Sequence, residues 1–106
     1  MTESKHVVID RKVRYERIQK TIGIGKPVAI APDRKHRDCF NILTDTGVIV
    51  IKSLDDTMIT LWVASMSQAI DIYKRTTGTS KLPQKIYETV KYNNTGARKT
   101  YYQVAA

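Results

Sequence analysis

Three short apolar runs, separated by two turn signals, occupy the middle of the chain. They cover residues 39–44, 48–54 and 58–65, and they are joined by Asp45-Thr46-Gly47 and Asp55-Asp56-Thr57. Asp and Gly favour tight turns because they tolerate the backbone angles that such turns require. Apolar runs of strand length with such short connections predict a three-stranded antiparallel meander.

The N-terminal part predicts a short strand followed by a helix. Residues 6–9 form a β-like run, and Asp10 is a favourable helix N-cap because its carboxylate can accept a hydrogen bond from a free backbone N–H. Residues 11–22 carry apolar side chains at i, i+3 and i+7, which is typical of an amphipathic helix. Residues 28–31 lie between two prolines, which leaves an edge strand and a loop as alternatives.

Two further helices are predicted after the meander. Ser65 and Gln68 have the spacing of a capping box, which opens a helix that ends near Arg75. Another helix is expected over residues 82–92, with Pro83 in its first turn. Residues 93–106 are interpreted as a basic tail, so that residues 1–92 would form a single domain.

Alternation along the strands predicts how the two faces of the sheet are used. One face is apolar and is expected to carry the helices, whereas the other is mixed and partly open, with Asn41, Lys52, Thr60 and Trp62 on it. The predicted fold class is therefore α+β, an antiparallel meander sheet of three to four strands with helices packed on one face.

The charge of the chain is large and unevenly distributed. There are 18 Lys and Arg against 10 Asp and Glu, a net charge of +8. Residues 1–37 carry ten basic against four acidic side chains, residues 38–75 three against five, and residues 76–106 five against one. A basic field attracts polyanions, so RNA is the expected partner. Internal pairing of the acidic middle with the basic ends is the alternative.

Several function classes find no support in the residues. The single cysteine, Cys39, excludes an internal disulfide and favours a reducing, cytoplasmic environment. The two histidines and scattered acids lack the spacing of metal sites, and Gly23-Ile24-Gly25-Lys26 lacks the pattern of a phosphate-binding loop. No run has the length of a membrane span, and residues 1–20 lack the apolar centre of a signal peptide. We therefore expect no metal, no cofactor and no membrane partner.

Metal-free RNA cleavage remains chemically possible, since it needs a proton-transfer pair and cations for the phosphate charge. The candidate catalytic residues are His6, Arg37 and Lys52. The candidate nucleic-acid-binding residues are Arg14, Arg17, Arg34, Lys35 and Trp62. Each has a structural alternative: His6 can be a strand-end residue, Lys52 a lysine that protects a sheet edge, and Trp62 a core residue.

The order of the predicted elements resembles the RelE-like ribonuclease toxins and the related BrnT-like toxins. The likeness lies in residues 6–17 and 39–73, in topology and hydrophobicity rather than in motifs, and is closest in residues 47–51, 59–63 and 69–73. It implies a metal-independent endoribonuclease that acts on mRNA and is held inactive by an antitoxin.

The sequence departs from that pattern at one junction. Such toxins tend to carry an arginine where the last strand meets the next helix, whereas this chain has Ala64-Ser65-Met66. Either Arg14, Arg37 or Lys52 compensates, or the scaffold serves binding alone.

Two non-enzymatic functions therefore stay open. One is a phage- or plasmid-encoded inhibitor that docks on a host protein or nucleoprotein. The other is a small assembly protein in which residues 101–104 pair with a neighbouring subunit.

Overall fold

A computed structural model describes residues 5–95 of the protein, with side chains from Lys12 onward. These residues form three helices and four strands. In chain order the elements are α1 (Lys5–Thr21), β1 (Pro27–Pro32), β2 (Cys39–Thr44), β3 (Val48–Ser53), β4 (Met58–Val63), α2 (Met66–Thr77) and α3 (Gln84–Asn93).

The four strands form one antiparallel sheet in the order β1-β2-β3-β4. The register pairs Ile42 with Val50 and Val50 with Leu61, which confirms the meander and the α+β class. The proline-flanked run is an edge strand, β1, rather than a loop. Proline suits this place because an edge strand can lose a backbone donor without breaking a central ladder.

The exposed edge of β1 is closed by side chains of α2. Thr76 Oγ1 lies 3.0 Å from the carbonyl oxygen of Ile30 and 2.9 Å from that of Ile72, so its one proton is shared between them, and Arg75 Nη1 donates to the carbonyl of Pro32 at 2.5 Å. An edge on which two carbonyls contact side-chain donors, and which has a proline at each end, is a poor template for pairing with another chain.

Helices lie on both faces of the sheet, although we expected them on one. α2 and α3 pack with Leu43, Ile49 and Ile51. On the opposite face, Ile18 of α1 packs with a second cluster that includes Val50. The reason is visible in β3, where Val48–Ile51 are all apolar and buried, so that both faces need covering.

The interpretation of one mixed face was wrong. Residues opposite one another in an antiparallel pair share a face. Lys52 pairs with Phe40, two residues along β3 from Val50, and so lies on the α1 face. Trp62 pairs with Ile49 and therefore lies on the α2/α3 face, so Lys52 and Trp62 point to opposite sides of the sheet.

The prediction of a strand over residues 6–9 with an N-cap at Asp10 was also wrong. α1 begins at Lys5 and runs through both without interruption. Short β-branched runs are only a weak prior for a strand, whereas a helix satisfies its own backbone groups and buries Ile18 against β4.

The two C-terminal helices follow the sequence closely. The Ser65–Gln68 capping box is present at the start of α2, and α3 begins directly after Pro83. Asn93, which we assigned to the tail, is only 2% exposed. Its Nδ2 donates to the carbonyl of Thr46 at 2.9 Å, which docks the end of α3 on the β2–β3 turn. Residues 96–106, including the predicted pairing segment 101–104, lie outside the described residues.

Candidate nucleic-acid interface

The connection between β1 and β2, residues 33–38, carries Arg34, Lys35, His36 and Arg37 between two aspartates and is here called the basic loop. Asp33 Oδ1 accepts from the backbone N–H groups of Lys35 at 2.7 Å and His36 at 3.1 Å. The backbone closes the loop as well, since Asp33 N donates to Cys39 O at 2.9 Å and Cys39 N donates to His36 O at 3.2 Å. The cationic side chains are thus displayed from a compact turn that these hydrogen bonds close.

The environment of Asp33 favours its ionised form. Partial burial acts to raise its pKa, but the hydrogen bonds from the N–H groups of Lys35 and His36 and the charges of His36 and Arg75 outweigh burial and lower the pKa. The carboxylate that closes the basic loop is therefore charged throughout the neutral range.

One end of the basic loop is fixed to α2. Arg34 Nη2 lies 2.7 Å from Asp71 Oδ1, and Asp71 Oδ2 lies 3.2 Å from Arg75 Nε. Arg34, a predicted nucleic-acid-binding residue, is thereby engaged with a carboxylate and acts first as an anchor.

The remaining cations of the loop face solvent. Lys35, His36 and Arg37 are exposed. Among residues 12–95, neither Lys35 nor Arg37 forms an ion pair with a carboxylate. Of the predicted binding and catalytic residues, Lys35 and Arg37 are the best placed to meet an anionic ligand.

A small apolar pocket lies beside the basic loop and is here called the Phe40 pocket. Its volume is about 250 Å³. It is lined by Ile30, Phe40, Ile42, Lys52, Ser53, Leu54 and Asp56. Leu54 N donates to Asp38 O at 2.9 Å, which holds the pocket rim against the loop.

Lys52 contributes to this pocket rather than to a face shared with Trp62. Its Nζ lies 3.1 Å from Asp56 Oδ1, in a turn where the Asp56 carboxylate is largely exposed. Lys52 precedes Ser53, which pairs with Cys39 at the end of the basic loop. The structure therefore brings Lys52 and Arg37 to the same end of the sheet.

Trp62 packs against the core rather than offering a surface for a base. The indole packs against the α2/α3 core, and its Nε1 donates to Gln68 Oε1 at 3.1 Å. The same oxygen accepts from Ser65 N at 3.0 Å, so Trp62 supports the start of α2. It lies on the sheet face opposite Lys52.

The remaining predicted residues belong to α1. Arg14 is partly buried and donates from Nη1 to the carbonyl of Leu61 at 3.3 Å, while Arg17 lies one turn further along the same helix. Both therefore lie along β4, at the opposite edge of the sheet from β1 and the basic loop. The side chain of His6 lies outside the described residues, and its proposed pairing with Arg37 stays a prediction.

Sequence reasoning did not identify Phe40 and Leu54 as site residues. Phe40 is the one phenylalanine of the chain and comes three residues after Arg37. Its alternation with Ile42, on a strand that begins beside a charge cluster, is the signal that could have identified it. Leu54 carries no such signal, because its contact with the basic loop is a backbone hydrogen bond to Asp38, which lies far from it in the sequence.

A groove at the other end of the sheet has a volume of about 470 Å³. It is lined by Thr21, Ile22, Asp45, Thr46, Lys85, Glu88, Thr89, Tyr92 and Asn93. Charges of both signs are mixed along it, so it has no evident preference for an anion.

Two other kinds of site do not occur in the described part of the chain. No three His, Cys, Asp or Glu side chains from residues 12–95 are grouped as metal ligands would be. No helix within residues 5–95 has the length and apolar character to cross a membrane.

Comparison with protein-family models, with curated proteins and with solved structures gives no match for this chain. The resemblance to RelE-like and BrnT-like toxins therefore stays a prediction.

Proposed function

We propose that the protein binds RNA through the basic loop. The observation that carries this proposal is the exposure of Lys35, His36 and Arg37, none of which forms an ion pair with Asp33 or Asp38 of the same loop, while the Asp33 carboxylate is occupied by backbone N–H groups. Cations that are held apart from carboxylates keep their charge available for phosphates, which dominate the affinity of proteins for nucleic acids.

Binding is better supported than cleavage. Binding needs only positioned positive charge, which Lys35 and Arg37 supply. Cleavage also needs a proton-transfer pair, and the pair expected from the sequence includes His6, whose side chain is not among those described. A metal-independent endoribonuclease is thus one outcome of the test below rather than its premise.

The test measures binding of a fluorescently labelled, unstructured RNA by anisotropy, in EDTA, over a series of salt concentrations. The variant is Lys35→Ala/Arg37→Ala. Lys74→Ala/Lys91→Ala is the matched control, because it removes the same charge from exposed positions on α2 and α3.

We expect the loop variant to weaken binding at least about tenfold. The slope of log K against log salt should become shallower by about one unit for each cation–phosphate pair that the substitutions remove. The control should remain close to the wild type. Equal weakening in the two variants would instead indicate diffuse electrostatic attraction without a site.

The same samples distinguish the alternatives. Shortened RNA on a denaturing gel, absent in the loop variant, would establish endoribonuclease activity. Failure of the wild type to bind any RNA would overturn the proposal and direct attention to a protein or nucleoprotein partner.

A further inference from the structure

We infer that the Phe40 pocket receives one unstacked nucleobase, so that the protein takes RNA as a single strand. This inference rests on the proposed function and specifies the form of the ligand. It is carried by the contact between the basic loop and the pocket, by the different charge of the two, and by the size and exposure of the pocket.

The loop and the pocket lie next to each other. Phe40 stands three residues after Arg37, and the Leu54 N to Asp38 O hydrogen bond of 2.9 Å joins the β3–β4 turn to the loop. A strand of RNA whose phosphates contact Lys35 and Arg37 would therefore carry its bases past the pocket.

The two parts differ in charge, as phosphate and base do. In the loop, Lys35 and Arg37 have no carboxylate partner within residues 12–95. In the pocket, the cation Lys52 is matched by Asp56 at 3.1 Å. The positive loop suits an anionic phosphate, and the locally neutral pocket suits an uncharged base.

The lining of the pocket also suits a base. Phe40 offers an aromatic ring, and Ile30 and Ile42 add apolar surface from the neighbouring positions of β1 and β2. Stacking on an aromatic side chain tolerates any base because every base has a π-face. Lys52 and Ser53 at the rim place polar atoms near the edge of such a ring.

Size and exposure restrict the occupant. The volume of about 250 Å³ is below that of pockets for drug-sized ligands, which makes room for a single ring system rather than a longer ligand. Ile30 is 50% exposed and Leu54 is 68% exposed, and neighbouring exposed apolar side chains often mark a binding surface. An A-form duplex keeps its bases stacked inside and could offer this pocket none.

The experiment compares one RNA sequence as a single strand and annealed to its complement. It also uses a single strand with 2-aminopurine, a base whose fluorescence falls on stacking. Phe40→Leu removes the ring but keeps apolar volume. Tyr87→Leu is the matched control, since it removes a ring that is 40% exposed and lies away from the loop, on α3.

We expect the wild type to prefer the single strand and to change the 2-aminopurine signal on binding. Phe40→Leu should lose about fivefold or more in single-strand affinity, leave duplex affinity unchanged and abolish the fluorescence change. Tyr87→Leu should behave as the wild type.

A second variant protects the test against misfolding. Leu54→Ser alters the pocket rim at a position with little buried surface, so folding should be retained. It should also weaken single-strand binding selectively.

The outcomes distinguish RNA binding by the basic loop from base binding by the Phe40 pocket. Equal affinity for single strand and duplex, with no effect of either pocket variant, would overturn the base pocket while leaving loop-mediated RNA binding intact. Absence of all RNA binding by the wild type would overturn both.

Discussion

Arg34 and Asp71 are 37 residues apart in sequence, yet their side chains meet at 2.7 Å. The same carboxylate also contacts Arg75, whose guanidinium donates to the carbonyl of Pro32. A single acidic residue of α2 thus holds the start of the basic loop and the end of β1 together. The direction in which Lys35 and Arg37 are displayed therefore depends on a helix that comes later in the chain.

We predict that Asp71→Asn loosens the basic loop with little effect on global stability. The pair is largely exposed, so the free energy of unfolding should fall by less than about 1 kcal/mol. Hydrogen exchange of the amides of residues 33–38 should nevertheless accelerate. Asp38→Asn, which removes an exposed carboxylate from the same loop, is the control. Unchanged exchange in Asp71→Asn would show that the loop holds itself without α2.

Acidification should open the basic loop through Asp33. Because folding lowers the pKa of this carboxyl, the folded state binds fewer protons, and its contribution is present at neutral pH and lost as the pH falls below about 4. The amides of Lys35 and His36 should then lose their protection, as followed by NMR. The pKa of Asp55 is also lowered, chiefly by hydrogen bonds from Ser53 and Thr57, so total stability will have a second acid-sensitive contribution.

The Asp33→Asn variant distinguishes the acid response of Asp33 from that of Asp55. An asparagine oxygen can still accept from the loop amides but does not titrate in this range. The amides of Lys35 and His36 should therefore become insensitive to acid while the wild-type response elsewhere persists. An acid response of these amides equal to that of the wild type would assign the effect to another group.

Gly47→Ala should destabilise the protein more than Gly78→Ala. Both glycines have positive φ, 81° and 85°, so both substitutions incur the left-handed backbone cost of about 1–2 kcal/mol. A Cβ at Gly47 would also lie 2.8 Å from Asn93 Nδ2 and 3.3 Å from Val90 Cγ2, whereas one at Gly78 would meet nothing within 4 Å. We expect a further loss of about 1–3 kcal/mol at Gly47, measured by urea unfolding. Equal losses of stability in the two variants would mean that α3 can move away from the added Cβ with no cost in free energy.

Thr76→Val should expose the β1 edge. The substitution keeps the shape of the side chain but removes the hydroxyl, whose proton is shared between Ile30 O at 3.0 Å and Ile72 O, within α2, at 2.9 Å. We expect a small loss of stability, about 1 kcal/mol, together with concentration-dependent association seen by sedimentation. Thr77→Val is the control, since the Thr77 hydroxyl donates to Tyr73 O within its own helix. Association of both variants to the same degree would argue against edge protection.

Local patterns predicted most of the architecture. The strands β2, β3 and β4 and the Ser65–Gln68 box were visible because alternation and turn residues act over a few neighbours. The start of α1 was not, because residues 6–9 look β-like in isolation, whereas they belong to a longer helix that packs on β4. The sheet face on which Lys52 lies follows from its pairing with Phe40, and the sequence of one strand does not reveal that pairing.

The sequence indicated the cationic residues of the candidate site but not the contacts that shape it. Lys35 and Arg37 stood out as part of a cluster in the sequence. The pairing of Arg34 with Asp71 and the approach of Leu54 to Asp38 join distant segments, and no local signal announces either contact.

The hydrogen bond from Asn93 to Thr46 has a consequence for the order of events during synthesis. A chain emerging from a ribosome can pair all four strands once Val63 is free. The turn between β2 and β3 must still wait until Asn93, 47 residues after Thr46, has been translated. The β2–β3 hairpin therefore gains its last contact from the end of α3, and a nascent chain halted before α3 would carry that turn without its final support.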